Sequence, residues 1–208
     1  MKFALTTKDL KVALDELARR DRHIKAGLGL VGYPEVRRGG APSYEHHLRI
    51  IVGQQLSVKA AATIYGRVEA AMGEVVPENY LNKSDQELRA LGLSRQKISY
   101  GRGLSEAVLD GALKPAELKK LPDQEVLEII TGLKGFGRWS AEMFLLFSLG
   151  RPDVWPADDL GIQAALHKLK NMRKRPDQKK TDALGKPWRP YRGAAAIFLW
   201  HYYNNRPV

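Results

Sequence analysis

Two acids stand side by side at Asp158 and Asp159, where apolar residues Leu160, Ile162, Leu166 and Leu169 begin to recur at helical spacing. Adjacent helical side chains do not share a face, so the two must do different work. The ordinary use of such acids is at a helix start, where they cap unpaired N–H groups and complement the macrodipole. A carboxylate can also stabilise positive charge developing on a reacting carbon, or orient and deprotonate a water. Five histidines (His23, His46, His47, His167, His201) lack His-Glu-x-x-His or similar metal-binding spacing. The absence of cysteine excludes disulfides, thiolate zinc sites, iron-sulfur clusters and a cysteine nucleophile. No catalytic metal and no cofactor are expected.

A second chemical feature is the string Leu133-Lys134-Gly135-Phe136-Gly137 followed by Arg138. It falls between a helical pattern opening at Pro122-Asp123 and another resuming at Ser140, Ala141, Phe144 and Leu145. Two glycines spaced one apart let the backbone turn tightly and approach another surface, while the next helix presents unpaired N–H groups there. That combination suits a phosphate, with Lys134 and Arg138 adding charge at the rim. Taken alone, a Gly-x-Gly turn is more often an ordinary helix–helix connection.

Charge points the same way. The chain of 208 residues carries a formal +11, of which a net +8 lies between Lys168 and Arg192. A sequence pI of about 9.8 favours a polyanionic partner, although a solvated loop would give the same count. Mean hydropathy is −0.36, and no apolar run approaches a membrane span. The charge-interrupted N-terminal segment, residues 1–21, does not read as a signal peptide, so a soluble, cytoplasmic protein is expected.

Helical periodicity runs through most of the chain and strand alternation is nearly absent, so the fold class expected is all-α. Ser43 is placed to cap a helix carrying Leu48, Ile51 and Val52, and a further helix follows with Val58, Ala61, Tyr65 and Val68. Between them lies the turn Gly53-Gln54-Gln55-Leu56-Ser57. Ser84 to Glu87 match a capping box, Ser94 opens another helix, and residues 193–203 form a last, strongly apolar one. The basic stretch with Pro176, Pro187 and Pro190 reads as a loop.

The longer string Leu-Lys-Gly-Phe-Gly-Arg-Trp-Ser-Ala resembles the hairpin motif of the helix-hairpin-helix (HhH-GPD) DNA glycosylases, and Pro-Ala-Asp-Asp-Leu-Gly-Ile resembles their aspartate loop. Ile-Ile-Val-Gly-Gln-Gln-Leu-Ser and Leu-Arg-Ala-Leu-Gly-Leu-Ser-Arg-Gln-Lys-Ile-Ser-Tyr are similar to the 3-methyladenine DNA glycosylase II family, so the resemblance spans roughly 43–203. It implies a two-lobed helical fold without the N-terminal β domain of some relatives. One lobe would span 43–155 and end in the hairpin (133–137); the other would combine 1–42 and 156–208.

The activity implied is monofunctional removal of flipped-out alkylated purines (3-methyladenine, 7-methylguanine, 1-methyladenine) from duplex DNA, by a monomer using water as nucleophile. Asp159 is the implied catalytic carboxylate, because the family's aspartate is followed three residues later by an aliphatic residue, here Ile162. Asp158 would then be the helix cap; counting from Pro156 instead selects Asp158. The resemblance also implies a base pocket at Trp139, Trp200, Met143 and Leu160, a hairpin grip on the DNA backbone by residues 133–138, and insertion of Gln55 into the duplex. Gln54 and Ser57 would support the turn. Trp139 stands where bifunctional relatives carry a lysine nucleophile, and an indole cannot form a Schiff base. A monovalent cation on hairpin carbonyls is implied as well. The competing readings are a non-catalytic hairpin DNA-binding protein and a bifunctional glycosylase with lyase activity.

Overall fold

The computed structural model describes residues 6–35 and 40–207; the opening residues 1–5 of the N-terminal segment read above, and the side chain of Val58, lie outside the described set. The described residues are helical with no strand, and none of their helices is long and apolar enough to cross a membrane. The chain divides into two compact units, one spanning 40–141 and the other joining 1–39 to 142–208.

The discontinuous unit begins with α1 (Thr7–Arg20) and α2 (Arg22–Val31), capped by Thr6 and Asp21. Leu10, Ala13, Leu14 and Leu17 form the buried stripe of α1, and α2 contributes Ile24, Gly27 and Leu28. This spacing puts the apolar side chains on one face per helix, so pairing the two removes both stripes from water.

The continuous unit contains α3 (Tyr44–Gly53), α4 (Val58–Met72), α5 (Pro77–Leu81), α6 (Asp85–Ala90), α7 (Arg95–Leu109), α8 (Asp123–Gly132) and the start of α9 (Arg138–Met143). Ser43, Ser57, Ser84 and Ser94 each accept a backbone N–H at a helix start, and the Ser84–Glu87 capping box closes in both directions. Each cap satisfies a donor that the helix itself cannot pair, worth about 1 kcal/mol. α7 packs against α3 and α5, with Ile98 and Leu104 buried and Tyr80 set against Gly101.

The chain re-enters the discontinuous unit through a π-helical turn at Phe144–Ser148, then forms α10 (Leu160–Leu169), α11 (Gln178–Gly185), a 3-10 turn at Lys186–Trp188 and α12 (Arg192–Asn205). α12 is apolar nearly all round and buried from Gly193 to Leu199, packing on α10, α1 and α2. The sequence boundary at 155 differs from the observed division at 141/142. Segment 144–153 is tied into this unit: Gly193 N–H donates to the Pro152 carbonyl at 2.8 Å, and Arg192 Nε donates to Asp153 Oδ1 at 2.7 Å.

The basic stretch is not simply a loop, as its prolines suggest. α11 forms between Pro176 and Pro187, capped by Asp177, and buries Thr181 and Gly185. Trp155 covers Gly185 so closely that a Cβ there would lie 2.5 Å from the indole, and Trp155 Nε1 donates to the Thr181 carbonyl at 3.2 Å. Trp188, 1% exposed, donates Nε1 to Asp21 Oδ2 at 3.1 Å, and Lys170 Nζ donates to the same oxygen at 2.7 Å. Burial opposes the charge on Asp21, but bonds from Lys170, the His23 N–H and Trp188 prevail and hold its carboxyl below the ordinary 3.8.

Candidate functional site

In the continuous unit, the turn Leu133–Gly137 links α8 to α9. Gly135 has φ +95°, and a Cβ there would fall 2.2 Å from the Tyr100 ring, so this position requires glycine for both conformation and space. Gln54 Nε2 donates to the Gly135 carbonyl at 2.8 Å, binding the hairpin to the turn that ends α3. Lys97 Nζ donates to the Val52 carbonyl at 2.7 Å and completes the end of that helix. Phe136 is 4% exposed and meets the His47 ring edge-on with centroids 6.1 Å apart, so it anchors the hairpin from within. Burial drives the His47 imidazole down to about 4, keeping it neutral, and its Nδ1 lies 2.7 Å from the Ser43 carbonyl.

Two hairpin side chains meet partners within the unit. Phe136 is core, and Lys134 Nζ donates to Ser99 Oγ at 3.2 Å on α7. Leu133 is half-buried, while Gly137, Arg138 and Trp139 are exposed. The carbonyls of Leu133 and Gly135 each accept one hydrogen bond, from the Phe136 N–H at 3.1 Å and from Gln54. Each oxygen retains a second lone pair, which leaves both able to accept a further bond or a cation of the kind the resemblance implies.

The turn beside the hairpin carries Gln55 in the left-handed region at φ +57°, a conformation costing a non-glycine residue about 1–2 kcal/mol. Gln55 is exposed, as is the neighbouring Leu56 at 38%. Ser57 caps α4, and Gln54 is half-buried against the hairpin. The strained, exposed residue is thus flanked by residues that hold the turn rigid.

In the discontinuous unit the assignment of Asp158 as helix cap is corrected. α10 begins at Leu160, and its cap is Asp159, whose Oδ1 accepts the Ile162 N–H at 2.8 Å. The turn made by Asp159 N–H donating to the Pro156 carbonyl delays the helix by one residue. Asp158 is exposed and makes no side-chain hydrogen bond or ion pair among the described residues. The same Oδ1 of Asp159 accepts Trp200 Nε1–H at 2.9 Å. Two donors on one oxygen fix the carboxylate's rotamer. Gly161 makes the approach possible: a Cβ there would lie 3.1 Å from Asp159 Oδ1 and 3.2 Å from Trp200 Cδ1.

Trp200 also walls a cavity of about 630 Å³ with Phe147, Ile197, Tyr33, Glu35 and Asn204. The Phe147 and Trp200 rings lie 6.0 Å apart, centroid to centroid. Met143, Leu160 and Asp159 are not among the residues lining this cavity, and Leu160 is 64% exposed. Trp139 lies on α9, 48% exposed. Sequence reasoning missed Phe147 because the π turn at Phe144–Ser148 inserts an extra residue per turn and shifts the faces beyond Met143. An aromatic four residues after Met143 was the available signal.

A family model for the HhH-GPD superfamily base excision DNA repair proteins matches residues 48–190, and the chain belongs to that superfamily. It is 35% identical over 161 residues to DNA-3-methyladenine glycosylase 1 of Schizosaccharomyces pombe, covering 76% of this chain and 71% of the relative. Against a Bacillus subtilis relative, YfjP, the identity is 30%, over 76% of this chain and 58% of the relative's length. Among solved structures, the S. pombe enzyme in complex with abasic DNA superposes with a TM-score of 0.80 at 34% identity, covering 90% of this chain and 94% of that one. A DNA-3-methyladenine glycosidase from Bacillus halodurans gives 0.73 at 40% identity, covering 81% and 78%.

Proposed function

We propose that this chain is a monofunctional DNA glycosylase of base excision repair, acting as a single chain on duplex DNA and hydrolysing the N-glycosidic bond of an extruded alkylated purine. The observation that carries this reading is the Asp159 carboxylate, held by the Ile162 N–H and by the indole of Trp200, which also walls an aromatic cavity large enough for a purine. The relatives bearing the name 3-methyladenine glycosylase supply the class of base.

Cleavage of the bond between C1′ and the base develops positive charge on the sugar, which a fixed carboxylate stabilises. Asp159 fills that role, and the same group orients or deprotonates the attacking water. Trp200 is a positioning residue: its N–H sets the carboxylate's orientation, while its ring offers an aromatic face to the base. An alkylated purine that carries positive charge is attracted to such a face and is already a good leaving group, so a permissive pocket still spares normal DNA. In the hairpin, the glycine-permitted backbone turn and Arg138 hold the phosphate chain. A monovalent cation on the Leu133 and Gly135 carbonyls would add positive charge there. Gln55, held in a strained, exposed turn, fills the gap left by the extruded nucleotide. Trp139 in place of a lysine leaves water as nucleophile.

The test is incubation with methylated duplex DNA, with and without hot alkali. Strand breaks only after alkali are expected. Breaks before alkali would establish lyase action instead, and base retention with DNA binding would establish a non-catalytic binder.

A further inference from the structure

Of the ten basic residues between Lys168 and Arg192, three serve the fold. Lys170 pairs with Asp21, and Arg189 and Arg192 pair with Asp153. Six others, Arg173, Lys174, Arg175, Lys179, Lys180 and Lys186, are exposed and make no side-chain hydrogen bond or ion pair among the described residues. Elsewhere several cations are matched by acids at helical spacing, Arg19 and Arg20 with Glu16, Arg49 with Glu45, Lys83 with Glu87 and Lys120 with Glu117, and unmatched exposed ones such as Lys8, Lys25, Lys59, Arg67, Arg89 and Lys114 are spread singly along the chain. A surface shaped for solubility alone mixes its signs in this way, whereas a single-sign surface projects a field. Within 173–186 the acids are Asp177, occupied in capping α11 through the Lys180 N–H, and Asp182.

The helical half of this stretch is also held to the core, while Arg173, Lys174 and Arg175 lie in the turn before it. α11 is fastened by buried Thr181 and Gly185 beneath Trp155, and the following turn by buried Trp188. Cations on a fixed scaffold lose less freedom on binding than cations on a loose tail. A helix of 8 residues is roughly 12 Å long, enough to run beside about three successive phosphates of one strand.

We propose that the exposed face of 173–186 is a phosphate-contact surface for the backbone of duplex DNA, made of residues other than those of the hairpin and borne by the unit that holds Asp159. It deepens the reading above and rests on duplex DNA being the ligand. The surface reads charge rather than sequence, so its contribution is salt-dependent and equal on damaged and undamaged DNA.

The experiment measures binding of the full chain to an undamaged labelled duplex from 50 to 200 mM salt. The fourfold variant Lys174→Gln, Arg175→Gln, Lys179→Gln, Lys180→Gln is compared with a control of equal charge, Lys8→Gln, Arg67→Gln, Arg89→Gln, Lys114→Gln. The slope of log K against log salt is expected to flatten by about two or more in the first, roughly one per lost contact, and to stay near the wild-type value in the control. Equal slopes in the two variants, or a change on single-stranded RNA without one on duplex DNA, overturn the proposal. Should the fourfold variant melt early, the pair Lys179→Gln, Lys180→Gln is expected to lower the slope by about one. Undamaged DNA keeps the two claims apart: failure of the wild type to release any base sinks the glycosylase reading and leaves this comparison standing.

Discussion

In the unit spanning 40–141, the hairpin presents main-chain groups, and the residues that shape it are packed behind it: Phe136 on His47, Tyr100 over Gly135, Gln54 on the Gly135 carbonyl. In the discontinuous unit, the group proposed to do the chemistry is one side-chain carboxylate, held by an indole 41 residues away. Both units rest on apolar cores; the first adds a histidine forced neutral and an Arg102–Asp85 pair, whereas the second adds an ionic hub at Asp21, which joins Lys170 and Trp188 across 149 and 167 residues. A surface that meets phosphates gains from backbone donors that need no charge of their own, whereas a centre that stabilises a cation needs a charged group fixed in orientation.

The largest expected effect separates charge from folding. Asn caps helices as well as Asp, so Asp159→Asn should leave the melting temperature and DNA affinity nearly unchanged while single-turnover base release falls by roughly 10²–10³-fold or more. Unchanged release would remove Asp159 from the chemistry and break the contrast between the units. Asp21→Ala strips the α2 cap and leaves Lys170, 16% exposed, beside Trp188 without its partner. A loss of about 3 kcal/mol in urea unfolding is expected, and a loss below about 1 would show that apolar packing holds that unit without the hub.

Gly135→Ala should cost about 2–4 kcal/mol, from the positive φ and the overlap with Tyr100, and should weaken DNA binding measured by anisotropy more than it slows release at saturating DNA. Trp200→Phe keeps the ring and deletes the donor to Asp159. Roughly tenfold slower release is expected with little change in apparent affinity, which a role in packing alone would not give.

Acid should separate the units in order. The folded state resists protonating His47, so the stability this residue supports is complete above its ordinary 6.5 and falls as pH drops toward about 4. Asp21 is shifted below its ordinary 3.8, so its contribution survives until the pH falls beneath that value. Protection of amides against exchange, taken relative to the intrinsic rate at each pH, should therefore fall first in α3 between pH 7 and 4.5, with α12 following only under more acid conditions. A simultaneous fall would mean that the two units unfold as one.

Local features could be read from the residues. The serine caps at Ser43 and Ser94, the capping box at Ser84–Glu87 and the glycine hairpin depend on a few neighbouring residues, so their spacing suffices. The position of the helix start near Asp159 was not legible, because one backbone turn at Pro156 moves the cap by a residue. α11 was hidden by its charges and flanking prolines, and it persists because Trp155 covers its buried side. The π turn changed the face of Phe147, and helical periodicity carries no mark of it.

By itself the sequence determined the all-helical class, the excess of positive charge, the hairpin's need for glycine and the presence of acids at the start of α10, all of which follow from composition or from residues within a turn of one another. The tertiary structure alone decided which acid caps the helix, that Trp200 donates to it, that Phe147 faces the same cavity, and which cations of the basic stretch are spent on the fold. Those outcomes depend on residues far apart in the chain meeting within hydrogen-bond distance, and such meetings are set by how whole helices pack rather than by spacing along the chain.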